Sequence, residues 1–131
     1  MRKNDIEEDL TYVELMIQCY DKISVNMDRA LKLGLDIQDD LILDNLAFQL
    51  LQGGEQLKAD KLSKETREQF SEINWKEMYG NRNMYAHSYE KVNKQMLIRR
   101  ARKASIYVEE LEQVRFHLRR KLEEQEEKRV E

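Results

Sequence analysis

The stretch "YGNRNMYAHSYE", residues 79–90, gathers Arg82, Asn83, His87 and Tyr89, in a chain that has only two histidines. Arg82 offers a planar, permanently charged fork that fits a phosphate in bidentate fashion. An imidazole such as that of His87 takes up and releases protons around neutral pH. Together they are a minimal kit for cleaving RNA without a metal or other cofactor. A base removes the proton of a ribose 2′-OH, the oxygen attacks the adjacent phosphorus, and a cation stabilises the charge that develops. Asn83 could orient the histidine or bond the phosphate, and so could the phenol of Tyr89.

Spacing constrains this reading. A five-residue step on an ideal helix turns about 140°, so Arg82 and His87 of one straight helix point apart. Either the helix breaks near Ala86–Ser88, or two chains build the site together across a two-fold axis. A homodimer is therefore expected on mechanistic grounds. Just downstream, "KVNKQMLIRRARK", residues 91–103, carries Lys91, Lys94, Arg99, Arg100, Arg102 and Lys103 and no acid, in a chain of net charge −3. A local basic stripe of this kind suits an RNA backbone, and the bland alternative is a solvated face whose cations pair with glutamates.

The elements that must hold these groups are helices. The 131 residues include no proline and four glycines, and charged residues make up 37%. Leu, Glu, Lys, Arg and Gln dominate, all good helix formers. The length suits a single domain with its own core. Asn4 with Glu7 predicts a capped first helix carrying Ile6, Leu10, Val13, Ile17, Tyr20, Met27 and Leu31, ending at Gly34. A second helix is expected from about Asp36, with Ile37, Leu41, Leu46, Leu50 and Leu57 inward and Gly53 and Gly54 kept for close backbone packing. A short turn after Ser63 and an Asn74 cap lead into the helix of the Arg/His cluster. A last helix starts after Asn93 and carries Leu97, Ala101, Ala104, Val108, Leu111 and Leu118. The expected fold is all-α, an up-and-down four-helix bundle with one additional short helix over residues 1–118. Residues 119–131 read as a charged tail that frays or projects into solvent.

The remaining candidates have plainer readings. Trp75 reads as a core anchor, Tyr79 and Tyr85 as packing at a dimer contact, and His117 as a surface residue among arginines. Cys19 alone cannot form an internal disulfide, and no His/Cys spacing suggests zinc. The charged start lacks a signal-peptide core, and no apolar run approaches the ~20 residues of a membrane span. A reducing, cytoplasmic setting follows as an expectation.

The chain resembles the HEPN superfamily, and within it the HepT-like toxins that are encoded beside a minimal nucleotidyltransferase (MNT) antitoxin. The superfamily pattern of Arg, a polar residue, three variable positions and His reads "RNMYAH", and the HepT-like extension R-x-x-x-x-H-x-Y reads "RNMYAHSY". "INWKEMYGNRN" is similar to the usual Ile-Pro-Trp run, with Asn74 in place of the proline. "NLAFQLLQGGEQL" supplies the Asn-Leu and Gly-Glu pairs at Asn45, Leu46, Gly54 and Glu55. The resemblance implies a homodimer with the motif helices at its interface, a HEPN-like bundle, and a metal-independent ribonuclease with Arg82 and His87 catalytic and Asn83 supporting. It also implies that the partner nucleotidyltransferase attaches AMP to Tyr89. Lys91, Lys94, Arg99, Arg102 and Lys103 are the expected RNA contacts. The alternative is a non-catalytic HEPN module that binds nucleotide or RNA, or docks a nucleotidyltransferase.

Overall fold

The computed structural model describes residues 1–59 and 61–130. Its helices are α1 (Lys3–Lys32), α2 (Asp40–Glu55), the short α3 (Lys64–Gln69), α4 (Trp75–His87), α5 (Lys94–Arg102) and α6 (Ala104–Val130). A single 3₁₀ turn, Tyr89–Lys91, links α4 to α5. No strand occurs among the described residues. The all-α, HEPN-like bundle is therefore as expected, with α1, α2, α4 and α5–α6 as its four arms and α3 as the additional helix.

Cross-helix pairs give the direction of each arm. Lys3 meets Glu126 and Glu14 meets Arg119, so α1 and α6 are antiparallel. Asn26 bonds Asn45 and Gly53 abuts Tyr20, so α2 runs back along α1. Glu55 meets Arg82 while Asp44 meets Tyr89, which sets α4 antiparallel to α2. Asn81 bonds Arg100 and Glu77 bonds Lys103, which returns α5 along α4. The interior is filled by Val13, Met16, Tyr20, Ile23, Leu46, Leu50, Met78, Leu111 and Val114, all fully buried. Full burial of a Leu or Ile side chain contributes roughly 1.5–3 kcal/mol.

Caps explain most boundaries. Asp39, Ser63, Asn74 and Asn93 each accept a backbone N–H of the helix that follows. Gly34, at φ +68°, ends α1 with Leu35 N donating to Ala30 O and Gly34 N to Leu31 O, a Schellman closure. Asp9, 2% exposed, ties α1 to the start of α3 by accepting from Ser63 N, Ser63 Oγ and Thr66 Oγ1.

Several expectations differ from the structure. The cap of α1 is Arg2, without a side-chain bond, and Asn4 already lies inside the helix. Asp36 accepts from Gln38 N in a turn, and α2 waits for Asp39. Leu31 and Leu41 are exposed rather than core. The last arm is two helices broken at Lys103, where no glycine or proline marks it; Lys103 instead reaches Glu77 across to α4. Residues 119–130 are helical, and most of them are exposed. They continue α6, with Leu122 packed on the core, Gln125 bonded to Met1 O and Glu126 paired with Lys3. His117 is half-buried, its ring edge-on to Phe70 at 5.3 Å. Tyr85 is 5% exposed inside its own chain and so cannot serve a dimer contact.

Candidate active site

The site starts from the contact of α2 with α4. A Cβ on Gly54 would lie 2.4 Å from Met78 O and 2.7 Å from Arg82 Cβ, so only glycine lets the two backbones approach this closely. The next residue of α2, Glu55, then reaches Arg82, with Oε2 2.7 Å from Nε. The Arg82 side chain is 14% exposed, so its guanidinium is held against α2 rather than waving in solvent. That hydrogen bond keeps the Glu55 carboxyl below its ordinary range and keeps the pair charged.

The remaining nitrogens of the fork organise the site. Arg82 Nη1 donates to Asn83 Oδ1 at 3.0 Å and approaches His87 Nε2 at 3.4 Å. A guanidinium has no acceptor, so this approach is favourable when Nε2 holds a lone pair and the imidazole proton sits on Nδ1. Nη2 has no hydrogen-bond partner among the described residues. Arg82 and His87 thus meet within one chain. Both residues lie within α4, whose last residue is His87, and the long arginine side chain covers the angle between them. The helix ends where one of the two sequence alternatives required, and the geometric argument for a two-chain site falls away.

Beside the pair lies a depression of about 570 Å³ lined by Asn83, Met84, His87, Lys91, Val92 and Met96 among others. The basic stripe divides around it. Lys91 stands on the rim, and Arg99 and Arg102 are exposed and make no ion pair among the described residues. Lys94 pairs with Asp40 at 3.1 Å and Lys103 with Glu77 at 2.9 Å. Arg100 turns inward and donates to Asn81, which is fully buried. Burial opposes the charge on Glu77, yet hydrogen bonds from Tyr107 and Lys103 hold its carboxyl below the ordinary range.

Tyr89 is not brought into that depression. It is 41% exposed, and its hydroxyl donates to Asp44 of α2 in a separate pocket of about 330 Å³ lined by Asp40, Leu43, Asp44, Val92 and Lys94 among others. The bond to Asp44, with burial and the charges of Asp44 and Asp40, pushes its phenol up to about 12. Asp44 and Asn81 were not foreseen as partners of the cluster, because nothing in their local spacing marks them. Glu55 had one signal, the glycine that precedes it.

A family model described as ribonuclease HepT-like matches residues 10–115, most of the chain. The chain belongs to this family. It is thereby a HEPN superfamily member, and Arg82, His87 and Tyr89 lie within the matched span. No curated protein and no solved structure matches the chain. Among the described residues no helix of this HepT-like chain is long and apolar enough to cross a membrane. No group of three His, Cys, Asp or Glu side chains among them is placed to hold a metal ion.

Proposed function

We propose that this HepT-like chain is the toxin of a HEPN/MNT toxin-antitoxin pair, an endoribonuclease acting through Arg82 and His87. The observation that carries the reading is the 3.4 Å approach of Arg82 Nη1 to His87 Nε2, with the guanidinium anchored by Glu55. A phosphate arriving at Nη2 and Nη1 replaces this long contact and frees Nε2 to take the 2′-OH proton. The 2′ oxygen then attacks phosphorus, Arg82 stabilises the five-coordinate state, and the 5′ oxygen leaves to give a 2′,3′-cyclic phosphate. Asn83 steers the fork. One imidazole cannot be base and acid in the same step, so a homodimer that brings a second His87 into the cleft supplies the leaving-group proton. Lys91, Arg99 and Arg102 are the cations free to hold the RNA backbone; Lys94 and Lys103 must first leave their acids.

An MNT-type nucleotidyltransferase antitoxin restrains the toxin by adding AMP to Tyr89. The Tyr89 oxygen attacks the α-phosphorus of ATP, pyrophosphate leaves, and the phenol proton passes to Asp44. The resulting ester can no longer donate to Asp44 and sets an anion beside Asp44 and Asp40. The Tyr89–Lys91 turn then leaves α2, and His87, two residues upstream, moves with it. RNA cleavage by wild type against His87→Ala and Arg82→Ala tests the enzyme: both variants lose cleavage, and persistence in both refutes the assignment. Intact mass after incubation with the adjacent nucleotidyltransferase and ATP tests the switch, and an adduct mapped away from Tyr89 overturns it.

A further inference from the structure

A groove of about 890 Å³ runs between α3 and α4, and none of the roles assigned above uses it. Its walls combine two aromatic rings, Trp75 and Tyr79, with the cations Lys64, Arg67 and Lys76 and the acids Glu68 and Glu72. Trp75 Nε1 donates to Arg67 O at 3.2 Å and Phe70 O at 3.0 Å, which ties down the polar edge of the indole and fixes its plane at the groove. Lys64 pairs with Glu68 at 3.6 Å, while Arg67 and Lys76 make no ion pair among the described residues. The wall therefore offers a fixed indole flanked by Arg67, whose Nε donates to Ser63 O at 3.4 Å, and by Lys76, which has no ion pair among the described residues.

The groove adjoins the candidate active site. At 100° per residue, Trp75, Tyr79, Arg82 and Asn83 fall within an arc of roughly 100° on α4. Tyr79 lies one turn from Arg82, and Trp75 about 10 Å away along the axis at 1.5 Å per residue. A strand whose phosphate sits at Arg82 thus has aromatic rings to one side and the Met84–Met96 depression to the other. Successive aromatic faces beside a basic track are what single-stranded nucleic acid stacks upon.

We infer that the α3–α4 groove is a base-stacking subsite for single-stranded RNA, holding on Trp75 and Tyr79 a nucleotide that flanks the scissile phosphate. It rests on the ribonuclease reading for its orientation, but its occupancy is measurable without cleavage. Stacking reads the π-face rather than base edges, so the subsite gives affinity with little sequence preference. Arg67 and Lys76 meet the backbone of the stacked nucleotide.

Trp75 is the only tryptophan of the chain, so its emission reports the groove alone. The test titrates a short single-stranded oligodeoxynucleotide, which lacks the attacking 2′-OH, into the full-length protein. Saturable quenching of Trp75 is expected, with affinity weakened about tenfold in Tyr79→Ala, the loss of one stacked base. Lys76→Gln, an exposed change that leaves the fold alone, weakens it less and flattens its salt dependence. In cleavage, Tyr79→Ala raises KM and leaves kcat near wild type. Binding that leaves Trp75 emission unmoved, or that Tyr79→Ala and Lys76→Gln do not weaken, overturns the subsite. So does quenching by a nucleotidyltransferase but not by the oligonucleotide. Quenching retained in a wild type that cleaves no RNA keeps the subsite and removes the nuclease; normal cleavage with an unmoved Trp75 does the reverse.

Discussion

Gly54→Ala separates the geometry of this site from ordinary helix propensity. Alanine gains about 1 kcal/mol over glycine inside a helix, so propensity alone makes the variant more stable. The added Cβ lies 2.4 Å from Met78 O and 2.7 Å from Arg82 Cβ, against ordinary contact beyond 3.4 Å. The first obstacle is backbone, which has no rotamer to yield, so α2 and α4 must part by about 1 Å. Overpacking of this kind costs typically ~1–3 kcal/mol, and a backbone clash belongs at the upper end. The net expectation is a loss of about 2 kcal/mol, a fall in Tm of roughly 5–10 °C for a domain of this size. The same displacement lengthens the 2.7 Å Glu55–Arg82 bond and moves the fork away from His87. Misplacement by 1 Å can cost about 10²-fold in rate. Thermal unfolding by circular dichroism and single-turnover RNA cleavage, run below the variant's melting range, measure the two effects. A Gly54→Ala protein with raised Tm and undiminished cleavage would refute the close-approach argument.

Other substitutions probe single contacts. Glu55→Gln should leave the helical content intact and lower cleavage about tenfold or more through loss of Arg82 positioning, with kcat falling more than KM rises; an unchanged kcat contradicts the anchoring role. The folded Glu55 carboxyl is held below its ordinary 4.5, so its contribution is present above that value and lost as pH falls through the folded one. The acid limb of Tm against pH should therefore be shallower in Glu55→Gln, and an identical limb would count against the pair. Asp44→Ala should bring the Tyr89 phenol down from about 12 toward its ordinary value, read as its ring resonances in a pH titration; a phenol that stays high shows that Asp44 is not its partner. Replacing Lys91, Arg99 and Arg102 together by glutamine should cut the slope of log affinity against log salt for single-stranded RNA by about 2, at ~0.7 per phosphate contact. A slope that stays put moves the RNA track elsewhere.

Local chemistry was legible in the sequence at several single residues, though not at Asn4 or Asp36. Asn74 and Asn93 cap the helices they precede, because an amide oxygen beside free N–H groups needs no tertiary help. Gly34 ends α1, and Gly54 marks the closest backbone contact. Choices made by packing were not legible. Leu41 belongs to the same apolar run as Leu46 and Leu50, but at 100° per residue it lies about 140° and 180° from them, on the outer face of α2, and stays exposed. Arg100 and Arg99 are indistinguishable in a run of cations, yet one bonds a buried asparagine and the other faces outward. The charged C-terminal turns are polar enough to fray, but Lys3 and Met1 meet them from α1. Arg82 and His87 both lie within α4, so the ~140° step between them stands, and they meet because the long arginine side chain spans it.

The two carboxylates that hold the motif both belong to α2. Asp44 and Glu55 are eleven residues apart, three turns and about 20° at 100° per residue, so one face of α2 presents both, about 16 Å apart along its axis. Against them α4 and its 3₁₀ extension run antiparallel, so that Glu55 grips Arg82 and Asp44 grips Tyr89. His87 lies between the two grips, and among the described residues its side chain is held by the long contact to Arg82 alone. Its position therefore depends on both anchors, and the two fail differently. Loss of Glu55 loosens the cation and leaves the histidine tethered through Tyr89. Loss of the Tyr89 donor leaves Arg82 in place and frees the histidine, and an ester at the phenol oxygen does this while adding a charge that Asp44 repels. On the reading proposed above, a modification in the Tyr89 pocket disables His87 as a base without occupying the cleft that takes RNA.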